Sequence, residues 1–263
     1  VLVLIPGIAA SEAFFGSAYD RLGDVATVAV IDPLGFGSSM DAAVQPGAFA
    51  IDRHLAAVTR ALRDLGLDGR PLFLAGHSMG ASLAIQIAAA TEADVRGVVA
   101  FDAPLYRSAA EASDRVRHMG WFEALLSTGP LAHTVCSWMC RHRAAAAALS
   151  VILNPTMPTA IALDGVRHTW HSYIQSFDAL VAGDSWAGAI ASLSARGVPL
   201  HLVDGASDPV PVPGRAASIA SSHPTVTHQT HPGAHDLPLA APAWCSDLLY
   251  HLISPDGAAP APG

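Results

Sequence analysis

The segment Pro71-Leu-Phe-Leu-Ala-Gly-His-Ser-Met-Gly-Ala-Ser-Leu-Ala-Ile-Gln-Ile-Ala88 passes from a short apolar run into a helical pattern through Gly76-His77-Ser78-Met79-Gly80. A G-x-S-x-G junction puts its serine on a very tight strand-to-helix turn, where side chains two positions before and after would strike neighbouring backbone. Glycines at 76 and 80 remove those side chains. The serine hydroxyl is then held above the sheet, with the following N–H groups and the helix N-terminus aimed at any negative charge that forms beside it. In a chain with 22 glycines the pentapeptide alone would carry little. Its context, Leu72 to Ala75 before it and Leu83, Ala84, Ile87 and Ala88 after it, makes Ser78 a candidate nucleophile.

Around this junction, short β-branched or apolar runs alternate with helix-like segments. The runs are Val1 to Ile5, Val25 to Ile31, Leu72 to Ala75, Val95 to Phe101, Val198 to Val203 and Thr225 to Thr230. Such alternation predicts an α/β fold, a mostly parallel twisted sheet with helices on both faces. Phe14 to Leu22, Ala50 to Leu65 and Met79 to Ala90 are the expected crossover helices. The rhythm breaks after the fourth run, where residues 104–183 read as several helices: Ser108 to Ser127, Leu131 to Leu153, and Thr159 to Val181 beyond the break at Asn154-Pro155-Thr156-Met157-Pro158. This predicts a core of residues 1–103 and 184–253, a helical lid over 104–183, and a disordered tail over 254–263, in which eight of ten residues are Pro, Ala or Gly.

A serine at such a turn needs a base within hydrogen-bond reach and an acid to orient the base. In an open parallel sheet, residues for that work come from loops at the carboxyl ends of strands. Asp208 lies in such a loop, just beyond the strand ending at Gly205. Asp204 precedes the turn glycine, where a carboxylate more often caps local amides, and Asp102 after the fourth strand is a more distant rival. Composition cannot choose among thirteen histidines, so position must. His235, in the loop Pro232-Gly-Ala-His-Asp after the last strand, falls on the same sheet edge as Ser78 and Asp208, whereas His228 and His231 sit on or beside the strand and read as structural.

Four motifs in order now resemble the α/β-hydrolase fold superfamily, in its lid-bearing serine, esterase- or lipase-like form, over most of residues 1 to 252. They are the Ser78 turn, the acid loop Gly205-Ala-Ser-Asp208, the histidine loop Gly233-Ala-His235-Asp, and Asp32-Pro-Leu-Gly-Phe-Gly-Ser-Ser39, which matches the family's D-x-x-G-x-G-x-S turn. The resemblance implies a Ser78, Asp208, His235 triad and an oxyanion hole from the N–H groups of Met79 and Ile8, with Ala9 the alternative to Ile8. Many members have His-Gly where this chain has Pro6-Gly7, and members commonly open with a further strand pair before this point, so truncation or a reduced sheet is expected. The implied activity is hydrolysis of a carboxylic ester, lactone or thioester through an acyl-enzyme. Carbon–carbon bond hydrolysis or lyase and cyclase chemistry with the same triad, and a ligand receptor, are the alternatives. A histidine base also predicts loss of activity in acid.

Composition narrows the partners. With 51% hydrophobic and 14% charged residues, a net charge of −8 and only 14 Lys and Arg, the chain offers no basic run for nucleic acid or an anionic membrane. A small, largely apolar substrate fits better, and Phe14, Trp121, Trp138, Trp170 and Phe177 are candidate substrate contacts. No apolar run reaches membrane-spanning length, and three cysteines are too few for a disulfide framework, which points to a cytoplasmic setting. His133, Cys136, Cys140 and His142 are all zinc-ligating types, but their spacing matches no common zinc pattern. Neither a metal nor a cofactor is expected.

Overall fold

The computed structural model describes residues 1–43, 45–119, 132–153 and 157–254. Six strands, β1 (Leu2–Ile5), β2 (Val28–Val30), β3 (Leu72–His77), β4 (Val95–Phe101), β5 (Leu200–Gly205) and β6 (Val226–His231), form one sheet in the order β2-β1-β3-β4-β5-β6. Every neighbouring pair is parallel, with Leu4 opposite Ala75 and Leu202 opposite His228 as register marks. All six lie within or across the apolar runs of the sequence. The chain leaves β1 toward β2 on one side and builds β3 to β6 on the other, so β1 and β3 flank a topological switch point. A crevice opens there at the carboxyl ends of the strands.

The side-chain alternation of each strand sorts the core into two layers. Val3, Ile5, Leu74, Val98, Ala100 and Leu202 face helices α1 (Ile51–Asp64), α2 (Met79–Ala90) and, from further along the chain, Ser185–Ala195. Leu2, Leu4, Ala75, Val99, Phe101 and Val203 face the opposite layer, built from Phe15, Tyr19, Leu22, Leu248 and Leu249. Helix α2 is buried on nearly every side, which explains its almost wholly apolar sequence. The expected crossover helix over Phe14 to Leu22 is instead two short 3₁₀ segments, Glu12–Phe14 and Ser17–Asp24. Gly16 and Gly23 punctuate that stretch, and Ser11 caps its first turn.

Between β4 and β5 the described helices are α3 (Ala109–Met119), α4 (Ala132–Arg141), α5 (Arg143–Leu153), α6 (Thr159–Asp164), α7 (Trp170–Leu180) and α8 (Ser185–Ala195). The expected single helix over Leu131 to Leu153 is interrupted at His142, and that over Thr159 to Val181 at Gly165 to Thr169, where Thr169 and Ser172 form a reciprocal capping box that starts α7. Helices α9 (Arg215–Ser222), α10 (Leu237–Ala240) and α11 (Pro242–Ile253) complete the chain. The expected tail from 255 onward lies outside the described residues. Among those described, no helix is long and apolar enough to cross a membrane.

Candidate active site

Ser78 joins β3 directly to α2 with φ 54° and ψ −120°, a left-handed backbone that a non-glycine residue adopts only under constraint. The flanking glycines permit the constraint. A Cβ at Gly76 would lie 2.2 Å from the Gly80 carbonyl oxygen, and one at Gly80 would lie 2.3 Å from the carbonyl oxygens of Ile5 and Pro6. The β1 loop also packs tightly here, since a Cβ at Gly7 would lie 3.0 Å from the His77 ring and 3.4 Å from Ser78 Cβ. Ile8 and Ala9, the next two residues of that loop, line the same cavities as Ser78.

Three side chains from three strand ends meet at this point. His235 Nε2 lies 2.9 Å from Ser78 Oγ, and His235 Nδ1 lies 2.9 Å from Asp208 Oδ2. Asp208 is fully shielded, and its other oxygen accepts the Val210 N–H at 2.7 Å. The acid loop is itself held down: Tyr106 Oη donates to Val210 O at 2.9 Å, Arg115 donates to the Pro211 carbonyl at 2.8 Å and to that of Pro209, and Arg215 pairs with Glu111 at 2.7 Å. The rivals are placed otherwise. Asp204 pairs with His228 at 3.0 Å along β5 and β6, and His231 rests on Trp244 with ring centroids 4.1 Å apart. His54 meets a serine too, Ser176 at 3.0 Å, but it is wholly buried, and no carboxylate pairs with it among the described residues.

Beneath these groups lies a buried polar layer that sequence reading did not assign. Asp102, with φ 52° and no exposed surface, accepts the N–H groups of Gly205 at 2.7 Å and Leu237 at 3.3 Å. Burial, reinforced by the charges of Asp208 and Asp204, pushes its carboxyl up to about 9. His77 Nε2 donates to the His235 carbonyl at 2.5 Å, and burial, with His235 beside it, pushes the His77 ring down to about 3. Phe14 stacks on the His77 ring, with centroids 4.7 Å apart. A Cβ at Gly205 would lie 2.4 Å from Ala234 O, so the acid and histidine loops touch through backbone.

The Asp32 turn braces this arrangement without touching it. Its carboxylate accepts the N–H groups of Glu12 and Ser38, each at 2.6 Å, linking the turn to the segment after the β1 loop. Gly35 and Gly37 adopt φ 90° and 53° where a Cβ would meet Ser172 and Asp32 at 2.5 and 2.3 Å. The Gly37 N–H donates to Arg167 O at 3.0 Å, seating the 165–169 loop.

Two cavities share Ile8, Ala9, Ser78, Gly165 and His235 in their linings. One, of about 270 Å³, is lined by residues including Tyr106, Val116, Met139, Phe177, Val181 and Val210. The other, of about 340 Å³, includes Phe14, Met157, Ile161, Ala162 and Leu239. No Lys or Arg is among the described residues lining either one. Of the expected substrate contacts, Phe177 lines the first cavity and Phe14 the second. Trp138 instead lies on the solvent side of α4, 45% exposed in a surface hollow with His133 and His142. Trp170 packs edge-on against His133 and lines neither cavity. Trp121 falls outside the described residues.

With this geometry in hand, comparison with known proteins is informative. The sequence profile described as the alpha/beta hydrolase fold matches residues 1–134. The chain belongs to the α/β-hydrolase fold family. No curated protein sequence matches it. Among solved structures, this α/β-hydrolase is similar to an E-2-(acetamidomethylene)succinate hydrolase, with TM-score 0.71 and 20% identity over 96% of this chain and 91% of that one. It is also similar to the enol-lactonase of Burkholderia xenovorans LB400, at TM-score 0.69 and 16% identity over 96% and 90%. A thermophilic esterase from Thermogutta terrifontis aligns at TM-score 0.64 and 20% identity over 94% and 87%. At such identities the likeness establishes the α/β-hydrolase architecture and leaves the substrate to be argued from the site.

Proposed function

We propose that the protein is a serine hydrolase that cleaves a carboxylic ester, lactone or thioester of a small, uncharged, largely apolar substrate through an acyl-enzyme. The observation that carries this reading is the continuous chain Ser78 Oγ, His235 and Asp208 at 2.9 Å per link, placed where two apolar cavities meet. His235 Nε2 takes the Ser78 proton as Oγ attacks the substrate carbonyl, and the shielded Asp208 holds the imidazole and stabilises its cation. The N–H groups of Met79 and Ile8 receive the oxyanion, a contribution of about 3 kcal/mol per donor. Collapse breaks the bond to the leaving group, which takes the proton from His235. Water, deprotonated by the same ring, then releases the acid and regenerates Ser78.

The two cavities suit an acyl part on one side and a leaving group on the other, with the absence of Lys and Arg from their described linings favouring neutral substrates. Residues 104–183 act as the lid in this reading: Val116, Met139, His168 and Phe177, all from that segment, help line the cavity that Ser78 enters. The test is covalent labelling with a fluorophosphonate probe, with intact mass measured on the wild type and on Ser78→Ala. A single adduct that vanishes in the variant is the expected result. A folded wild type that takes no adduct would overturn the reading and favour a non-hydrolytic binder. Labelling with turnover of a diketone but of no ester would favour carbon–carbon cleavage.

A further inference from the structure

A second cluster of reactive side chains faces the first cavity and takes no part in the hydrolytic scheme. Cys136 and Cys140 stand one turn apart on α4, so both thiols project from the same face. Their Sγ atoms are 3.9 Å apart, and Cys136 Sγ lies 3.6 Å from Nε2 of His168. The ligand atoms of all three residues fall within 4.8 Å of one another. A tetrahedral zinc ion, with Zn–S near 2.3 Å and Zn–N near 2.0 Å, separates its ligands by about 3.8 Å for two sulfurs and about 3.5 Å for sulfur and nitrogen. The 3.9 and 3.6 Å separations match those two values, and the Cys140 to His168 pair lies within 4.8 Å.

We infer that Cys136, Cys140 and His168 form a binding site for a thiophilic divalent ion, Zn²⁺, in the wall of the cavity that Ser78 opens into. Three protein ligands leave the fourth tetrahedral position for a water or a ligand oxygen. Cys136 and His168 line the cavity, which supplies that space. The inference stands apart from the hydrolase reading, since none of the three residues belongs to the Ser78 chain.

The surroundings suit the role. The capping box of α7 begins at Thr169, the residue after His168, and Gly37 fixes the carbonyl of Arg167, the residue before it. Arg143 Nη2 and Cys140 Sγ both donate to the His168 carbonyl, at 3.1 and 3.3 Å, so loop and helix are tied before any ion arrives. The other two residues of the sequence cluster are elsewhere: His133 and His142 line the surface hollow beside Trp138.

The decisive experiment titrates metal-free protein with Co²⁺ as a spectroscopic stand-in, then displaces it with Zn²⁺. The expected result is one equivalent of tetrahedral, thiolate-ligated Co²⁺, released by Zn²⁺ but not by Mg²⁺, with protection of Cys140 from alkylation. Binding strengthens as pH rises, because both thiols release protons to solvent. Cys140→Ser and His168→Gln should each weaken it by more than the roughly 10–100-fold that loss of an outer hydrogen-bonding partner costs a metal site. Cys245→Ala, which removes a buried thiol on the far layer, should leave it unchanged. A folded wild type showing no thiolate-to-cobalt band overturns the inference. So does a band that survives both ligand substitutions, since that places the ion elsewhere.

Discussion

Replacing Asp102 with asparagine should make the protein more tolerant of neutral and mildly alkaline pH, because the native fold holds Asp102 as a neutral acid. The carboxyl has no exposed surface and two N–H donors, and burial pushes it from 3.8 to about 9. A carboxyl raised in this way contributes its full stability below the unfolded value and loses it as pH rises toward the folded value. The window is therefore pH 3.8 to about 9. Within it the unfolded chain releases a proton that the folded one keeps, so stability falls by ~1.4 kcal/mol per pH unit. From pH 5 to pH 8 that amounts to ~4 kcal/mol, a large share of the 5–15 kcal/mol that holds a typical domain together.

Asparagine keeps the shape and the oxygen that accepts the Gly205 N–H, and it does not titrate. The assay is urea unfolding of wild type and Asp102→Asn at unit steps from pH 5 to 8. Titrations of distant groups are common to both proteins and cancel in the difference. The difference should grow steadily in favour of the variant by up to ~1.4 kcal/mol per unit. Asp102→Ala is the control: it loses the acceptor for Gly205 and leaves a cavity, so it is weaker overall, yet equally free of the slope. Parallel wild-type and Asp102→Asn curves across this range would refute the reasoning, for they would mean that the native carboxyl is already ionised or that its burial has no net effect.

The remaining expectations are briefer. Asp208→Asn should lower kcat about 10⁴-fold with little change in KM, because the imidazole loses the partner that fixes its tautomer; a loss below tenfold in steady-state kinetics would contradict the triad. Gly205→Ala should cut kcat at least 100-fold while the protein stays folded, because its Cβ would displace Ala234, the residue before His235; unchanged kcat would show that the two loops separate freely. His54, His77 and His168 are pushed by burial to about 4, 3 and 4, so each supplies stability that is present above 6.5 and is lost as pH falls toward its folded value. His54→Gln should therefore remove ~1.4 kcal/mol per pH unit from the acid side of the stability curve between pH 6 and 4, as read by urea unfolding. Val181→Trp should narrow the first cavity and favour short acyl groups over long ones, measured as a ratio of kcat/KM; an unchanged ratio would place the acyl chain in the other cavity.

How much of this could be read in the sequence depended on whether a residue's role was local or collective. The strands were legible because each is a bounded run of β-branched or apolar residues, and the loops of Ser78, Asp208 and His235 because glycines mark where backbone must approach backbone: Gly76 against Gly80, Gly205 against Ala234. The catalytic assignment of those three remains the proposal that labelling tests; their convergence within hydrogen-bond distance is geometry. Aromatic residues on the inserted helices were ambiguous for the opposite reason. Helical spacing gives a face but not the direction it points, so Trp138 reads as a pocket residue until α4 is seen to turn it toward solvent. The break at His142 has no glycine or proline to announce it. The break at 165–169 does have a signal in Gly165 and in the Thr169-x-x-Ser172 cap.

Hardest to foresee were Asp102, His77 and His168, polar residues whose significance is created by burial. Its place after the fourth strand marked Asp102 only as a rival acid; the fold makes it a buried acceptor by wrapping Gly205 and Leu237 around it from 103 and 135 residues away. The same physics separates His235, which keeps partial access to solvent, from His77 at the end of β3, which has almost none. One imidazole can exchange a proton with Ser78, while the other donates permanently to the carbonyl of the first. A neutral layer of Asp102 and His77 beneath Asp208 and His235 lets the fold seat His235 without placing further fixed charge beside it. Stability of the lower layer and geometry of the upper one are therefore linked, and a substitution that ionises Asp102 or His77 should disturb His235 before it unfolds the sheet.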